Sequence, residues 1–172
     1  MYHCCARAVY AICNGVYDVK FIWNAIATFG FTGLFPFAPA TFATLVFVLI
    51  YTYVPGGEVV AHPIVFLATL IVSIPAATQV EKEHGHDAGR IVIDEIVGMQ
   101  CVLVLAAPTL LGIVTGFVLF RFFDIVKPPP AGKAQNLPRG YGVVADDVVA
   151  GVFGRLVLVI LAYFFPGFGR FF

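Results

Sequence analysis

The carboxylates of this chain stand where its long apolar runs begin and end. Asp87, Asp94 and Glu95 lead into a stretch that stays apolar over residues 91–123, Asp124 closes it, and Asp146 and Asp147 precede the apolar run 148–165. A carboxylate at a helix centre in hydrocarbon costs about 2.5–3.5 kcal/mol on insertion scales. A chain that keeps six of them at the edges of such runs is expected to use them, and the simplest use is to hold a divalent cation against a phosphate. The 172 residues are 60% hydrophobic and 12% charged, whereas an average soluble domain is about 25% charged. This composition predicts an all-α, polytopic helical bundle in a membrane. The length suits one domain over residues 1–172. The zero net charge gives a nucleic-acid partner no electrostatic support.

Four or five spans are expected. Residues 42–54 and 63–80 are apolar, the second with a kink expected at Pro75. The stretch 91–123 is too long for one span of about 20 residues, so it reads as a hairpin of two short helices turning near Pro108. The last span is 148–165. The segment 1–27 precedes them, and its end suits an interfacial helix. Cys4, Cys5 and Cys13 lie near the start and Cys101 in an apolar run. They read as free thiols of a reducing compartment rather than a metal site with His3. With the N-terminus inside, Lys82, Arg90, Lys127, Lys133 and Arg139 fall on the inner side and the Pro108 turn carries no charge. This obeys the positive-inside rule, with Arg170 the exception. The acidic groups then collect at the cytoplasmic face.

Gly98 lies four residues after Asp94, on the same helical face, where a small residue lets a helix or head group approach. Arg121, Asp124 and Lys127 follow at three-residue spacing, so a helix end aligns them, and the bases can engage phosphate oxygens. Lys127-Pro128 ends that helix. Asp146-Asp147 read as a helix start, one an N-cap, with Gly140 and Gly142 forming a tight loop towards a ligand. Thr41 and Thr44 lie where free N–H groups of a helix start can take an anion. His84 and His86 read as solvated loop residues, and Arg155 in the last span needs a partner. There is no G-x-S-x-G, P-loop or C-x-x-C. Oxygen ligands with bases and no evident nucleophile favour Mg²⁺-assisted hydrolysis. A small transporter or channel is the alternative, since intramembrane acids also mark ion paths. Glycines on helix faces leave a homo-oligomer open.

Four ordered blocks carry a resemblance. They are Gly33-Leu34-Phe35-Pro36-Phe37-Ala38-Pro39-Ala40-Thr41; Asp87 to Gly98 around Ile91-Val92-Ile93-Asp94-Glu95; Phe120-Arg121-Phe122-Phe123-Asp124-Ile125-Val126-Lys127-Pro128; and Gly142 to Gly151 with the paired Asp. Over residues 28–162 the chain resembles the phosphatidylglycerophosphatase A family of bacterial inner-membrane lipid phosphatases. The resemblance implies Mg²⁺-dependent conversion of phosphatidylglycerophosphate to phosphatidylglycerol, the cardiolipin precursor; a phosphatase of another lipid phosphomonoester is the near alternative. It implies metal ligation by Asp87, Asp94, Glu95, Asp124, Asp146 and Asp147. It also implies acid–base roles within that set and phosphate contacts by Arg121 and Lys127. The resemblance does not divide the acids by role; we assign acid–base or nucleophilic work to Asp94, Glu95, Asp124 and Asp147, and Thr41 at its helix start is a further substrate contact. In and around the first block the chain departs from the family pattern: Ala40, Ala43 just beyond it and Phe31 ahead of it stand where the family has glycines.

Overall fold

A computed structural model of the chain describes residues 19–85 and 88–170. The expectations placed on Cys4, Cys5, Cys13, His86 and Asp87 fall outside those residues. Most of the described chain is helical, with short 3₁₀ turns, connecting loops and a two-residue strand pair. Its helices are α1 (residues 19–27), α2 (Pro39–Tyr53), α3 (Pro63–His84), α4 (Ile93–Leu103), α5 (Leu110–Val126), α6 (Ala131–Ala134) and α7 (Gly140–Phe164).

Local chemistry explains most of the boundaries. Proline opens α2 and α3 at N1, where its missing N–H costs nothing. Thr109 caps α5, its hydroxyl accepting from Gly112 N–H at 3.2 Å and donating to the Gly167 carbonyl at 2.6 Å. The same end is closed by β1 (Ala107–Pro108) paired antiparallel with β2 (Gly169–Arg170), so the tail is tied to the turn at Pro108. At its other end α5 stops because Lys127 turns left-handed (φ 45°) ahead of Pro128.

The hairpin expected at Pro108 is present, but α4 is short. Its eleven residues span about 16 Å at 1.5 Å each, roughly half of a ~30 Å hydrocarbon core. All of α4 except Glu95 is buried, and α2, α3, α5 and α7 pack around it. Among the described residues two helices, α3 and α7, are long and apolar enough to cross a membrane, and α2 is a shorter apolar helix. Their outward faces carry apolar stripes at helical spacing: Ile64, Leu67 and Ile71 on α3, and Val152, Leu156, Ile160 and Tyr163 on α7, all exposed. Pro75 lies within α3 and does not end it.

The last helix corrects the sequence reading. It begins at Gly140, not near residue 148, so Asp146 and Asp147 lie in its second turn and neither is an N-cap. Gly140 and Gly142 meet backbone rather than ligand. A Cβ on Gly140 would stand 2.5 Å from the Ile74 carbonyl, and one on Gly142 2.5 Å from that of Gln135. The Gly140 N–H donates to Thr78 Oγ1 at 3.1 Å, fixing the start of α7 against α3.

The tightest approach of one α-helix to another joins α4 to α7. A Cβ on Gly98 would lie 2.4 Å from the Phe120 ring and 2.8 Å from the Asp147 carbonyl; one on Gly151 would lie 2.4 Å from the Gly98 carbonyl. The helix approach expected at Gly98 is therefore present. Gly151→Ala should lower the thermal unfolding midpoint in detergent, by an overpacking cost of about 1–3 kcal/mol. Gly154→Ala, one turn on, meets nothing closer than 3.4 Å and should leave the midpoint unchanged or raise it. Thermal melts of the two variants against wild type check this.

Candidate active site

Three helix ends meet at one end of the bundle. The first turn of α4 brings Asp94 and Glu95, the last turn of α5 brings Asp124 with Lys127 just beyond, and the second turn of α7 brings Asp146 and Asp147. Together with Ile125 and Val143 they line a cavity of about 250 Å³. The loop before α4 is held from behind. Val92 N–H donates to the Ala27 carbonyl at 2.9 Å, and Gly33 packs so closely that a Cβ would lie 2.2 Å from the Arg90 carbonyl. The first sequence block thus supports the segment that delivers Asp94.

The acids form two sets. Asp94, Glu95 and Asp147 each offer an oxygen within 4.8 Å of the others. Asp94 and Asp147 are buried, and Asp94 Oδ1 and Glu95 Oε2 are buried with no hydrogen-bond partner. The remaining acids face bases: Lys127 Nζ lies 2.5 Å from Asp146 Oδ2, and Arg121 Nη1 lies 2.9 Å from Asp124 Oδ2. Burial by itself would lower the Lys127 pKa. The hydrogen bond to Asp146, with the charges of Asp146, Asp147 and Asp124, outweighs it and holds the ammonium above its ordinary value. Asp124 also approaches Asp147 within hydrogen-bonding reach. Three clustered carboxylates, two of them with orphaned oxygens, in an apolar setting are unfavourable without a cation, and an oxygen-only donor set suits Mg²⁺.

The structure brings Asp94, Glu95, Asp124, Asp146, Asp147 and Lys127 to one cavity. Arg121 stands behind Asp124, and its charge reaches Glu95, but it is not in the lining. Thr41, in the first turn of α2, does not line the cavity either, and the Thr44 hydroxyl is committed to the Ala40 carbonyl at 2.8 Å. His84 is not simply solvated: Arg90 Nη1 donates to its Nε2 at 2.8 Å. Arg155 finds the carbonyls of Val102 and Val104, where α4 ends. Gln100 escaped the sequence reading. Its Nε2 donates to the Val60 carbonyl at 2.7 Å, and a polar residue inside an apolar run was the available signal.

Carboxylates with bases beside them are a composition that phosphoryl chemistry uses. Known proteins narrow the class. The family model described as Phosphatidylglycerophosphatase A matches residues 25–162. An Escherichia coli protein named Phosphatidylglycerophosphatase A is 32% identical over 151 residues, 84% of this chain and 86% of the relative. One of the same name from Haemophilus influenzae is 43% identical over 81 residues, 45% of this chain and 49% of the relative. A Bacteroides thetaiotaomicron protein, provisionally named a phosphatidylinositol-3-phosphatase, is 35% identical over 139 residues, 75% of this chain and 86% of the relative. No solved structure matches. The chain belongs to the phosphatidylglycerophosphatase A family, and its enzyme class is phosphoric monoester hydrolase.

Neutralising one member of the cluster relieves repulsion among three close carboxylates. Asp147→Asn should raise the unfolding midpoint in chelator, while added Mg²⁺ should raise the midpoint of wild type more than that of the variant. Melts with and without metal read both effects.

Proposed function

We propose that this chain removes the terminal phosphate of phosphatidylglycerophosphate, with Mg²⁺, at the cytoplasmic face of a membrane. The observation that carries the reading is the Asp94–Glu95–Asp147 cluster, its oxygens within 4.8 Å of one another, in a chain of this family. The orphaned Asp94 Oδ1 and Glu95 Oε2 fit a hard cation, which Asp94, Glu95 and Asp147 would hold. Bound there, Mg²⁺ would supply Lewis acidity at the phosphoryl oxygen and lower the pKa of a water. Lys127, in the lining, brings positive charge to the phosphate and loosens its pair with Asp146 as it enters, while Arg121 adds its charge from behind Asp124. Asp124, held by Arg121 and beside Asp147, sits to accept the proton of the attacking water as general base.

The membrane arrangement follows from charge. Lys82, Arg90, Lys127, Lys133 and Arg139 share the acidic end, while the opposite end carries Arg170. The positive-inside rule turns the acidic end to the cytoplasm. In this reading α2, α3, α5 and α7 cross, and α4 begins a fifth crossing that residues 104–109 complete as irregular chain. Backbone at that depth must be satisfied by protein, and Arg155, Thr109 and the β2 pairing supply partners there.

Purified protein in detergent should release phosphate from phosphatidylglycerophosphate with Mg²⁺ and not with chelator. Asp94→Asn should lose about 10²-fold or more in rate. Phosphatidic acid and phosphatidylinositol 3-phosphate should be poorer substrates. Absence of release with any divalent metal from folded protein would sink the phosphatase reading, and a preference for either competitor would reassign the substrate.

A further inference from the structure

A second cavity opens on the other side of α7. It holds about 340 Å³ between α3 and α7, and none of its lining residues lines the acidic cavity. Tyr141 and Arg139 come from the start of α7, and Lys82 from the last turns of α3. Both bases also line an adjoining hollow of about 230 Å³ with Thr78 and Glu81. Glu83, the other acid near this end of α3, is engaged by Lys20 at 2.9 Å. Trp23 of α1 stands opposite Tyr141 in the lining. A Trp–Tyr pair beside two bases at the end of an apolar helix is the composition of a membrane–water interface.

The groove has a direction. Ile74, Pro75, Thr78 and Lys82 follow one face of α3, so the wall runs from base to apolar over about 12 Å, eight residues at 1.5 Å each. An anionic head group at Lys82 and Arg139 would place the chain attached to it along Ile74 and Pro75, an arrangement a free phosphate would not use.

Arg139 is also held in a costly conformation. Its φ of 60° and ψ of −162° lie in a region that glycine alone adopts readily. The next residue leaves no slack, because Gly140 is pressed against the Ile74 carbonyl and Thr78. Glycine would be the natural occupant of position 139 on backbone grounds. An arginine there, with its side chain in the groove lining, implies that the guanidinium is what the position retains.

We propose that the α3–α7 groove binds one anionic phospholipid, its phosphodiester between Lys82 and Arg139 and its glycerol and proximal acyl chains along Ile74 and Pro75. The site is separate from the acidic cavity. The proposal rests on the membrane placement described above and does not depend on the identity of the substrate.

The test is native mass spectrometry of the purified chain from detergent, with phosphatidylglycerol or phosphatidylcholine of matched acyl chains. Wild type should retain one phosphatidylglycerol in preference to phosphatidylcholine, and Lys82→Gln/Arg139→Gly should weaken that retention about tenfold or more. The variant should keep wild-type phosphate release, which separates this groove from the acidic cavity. Because glycine suits the backbone at 139, Arg139→Gly should melt no lower than wild type. Should it melt lower, Lys82→Gln alone, an exposed helical position, carries the test. Equal retention by wild type and variant, or equal retention of phosphatidylcholine, would overturn the proposal. So would displacement of the lipid by millimolar inorganic phosphate, which would make this a free-phosphate site. The readout is lipid mass, so an inactive protein would still answer it.

Discussion

The close approach of α4 and α7 at Gly98 and Gly151 is the contact on which the site depends. With a Cβ on Gly151 only 2.4 Å from the Gly98 carbonyl, neither position admits a side chain without parting the helices. Asp94 lies one turn before Gly98 and Asp147 one turn before Gly151, so the same contact sets how near the two carboxylates come. Phe120 fills the third side, its ring against Gly98, and thereby fixes α5 one turn before Asp124. A few small residues thus bring acids from three helices together, and the Lys127–Asp146 pair ties the end of α5 to α7.

Charge is then arranged unevenly around that contact. Asp146 and Asp124 each face a base at salt-bridge distance, while Asp94, Glu95 and Asp147 share a space less than 5 Å across. A fold under selection for stability alone would not gather three carboxylates in an apolar bundle, because buried like charges at this distance repel one another. The bases matter for the same reason. Lys127 and Arg121 are each held beside an acid of their own, which keeps positive charge next to the cluster.

Much of this was legible in the chain, because the informative residues are local. A carboxylate at the edge of an apolar run, a proline before a helix and a glycine four residues past an acid carry their meaning in sequence. Asp94, Glu95, Asp124, Asp146, Asp147 and Lys127 reach one cavity as those patterns suggested, whereas Thr41 and Arg121 stand outside its lining. What the chain hid was non-local. Gly140 and Gly142 look like a turn, yet they open α7, because the constraint on them is the backbone of α3 and of the segment after α6. The length of α4 was equally hidden, since an apolar run has no internal mark for where a helix stops. Arg155, some fifty residues away, takes up the carbonyls at that stop.

The first block shows how a family pattern and a departure from it can coexist. Phe31 stands where the resemblance leads one to expect a glycine, and its φ of 70° is the conformation for which glycine is suited. The left-handed turn survives the replacement at a steric cost of about 1–2 kcal/mol, offset in part by the packing of the Phe31 ring on Phe21 at 5.6 Å. Gly33, two residues on, has no such latitude, since its α-carbon abuts the Arg90 carbonyl. The two positions therefore fail differently. One needs a backbone angle that a larger residue can adopt under strain; the other needs empty space. Only the second lies on the path of contacts that leads through Val92 to Asp94, and it is the second that this chain has kept as glycine.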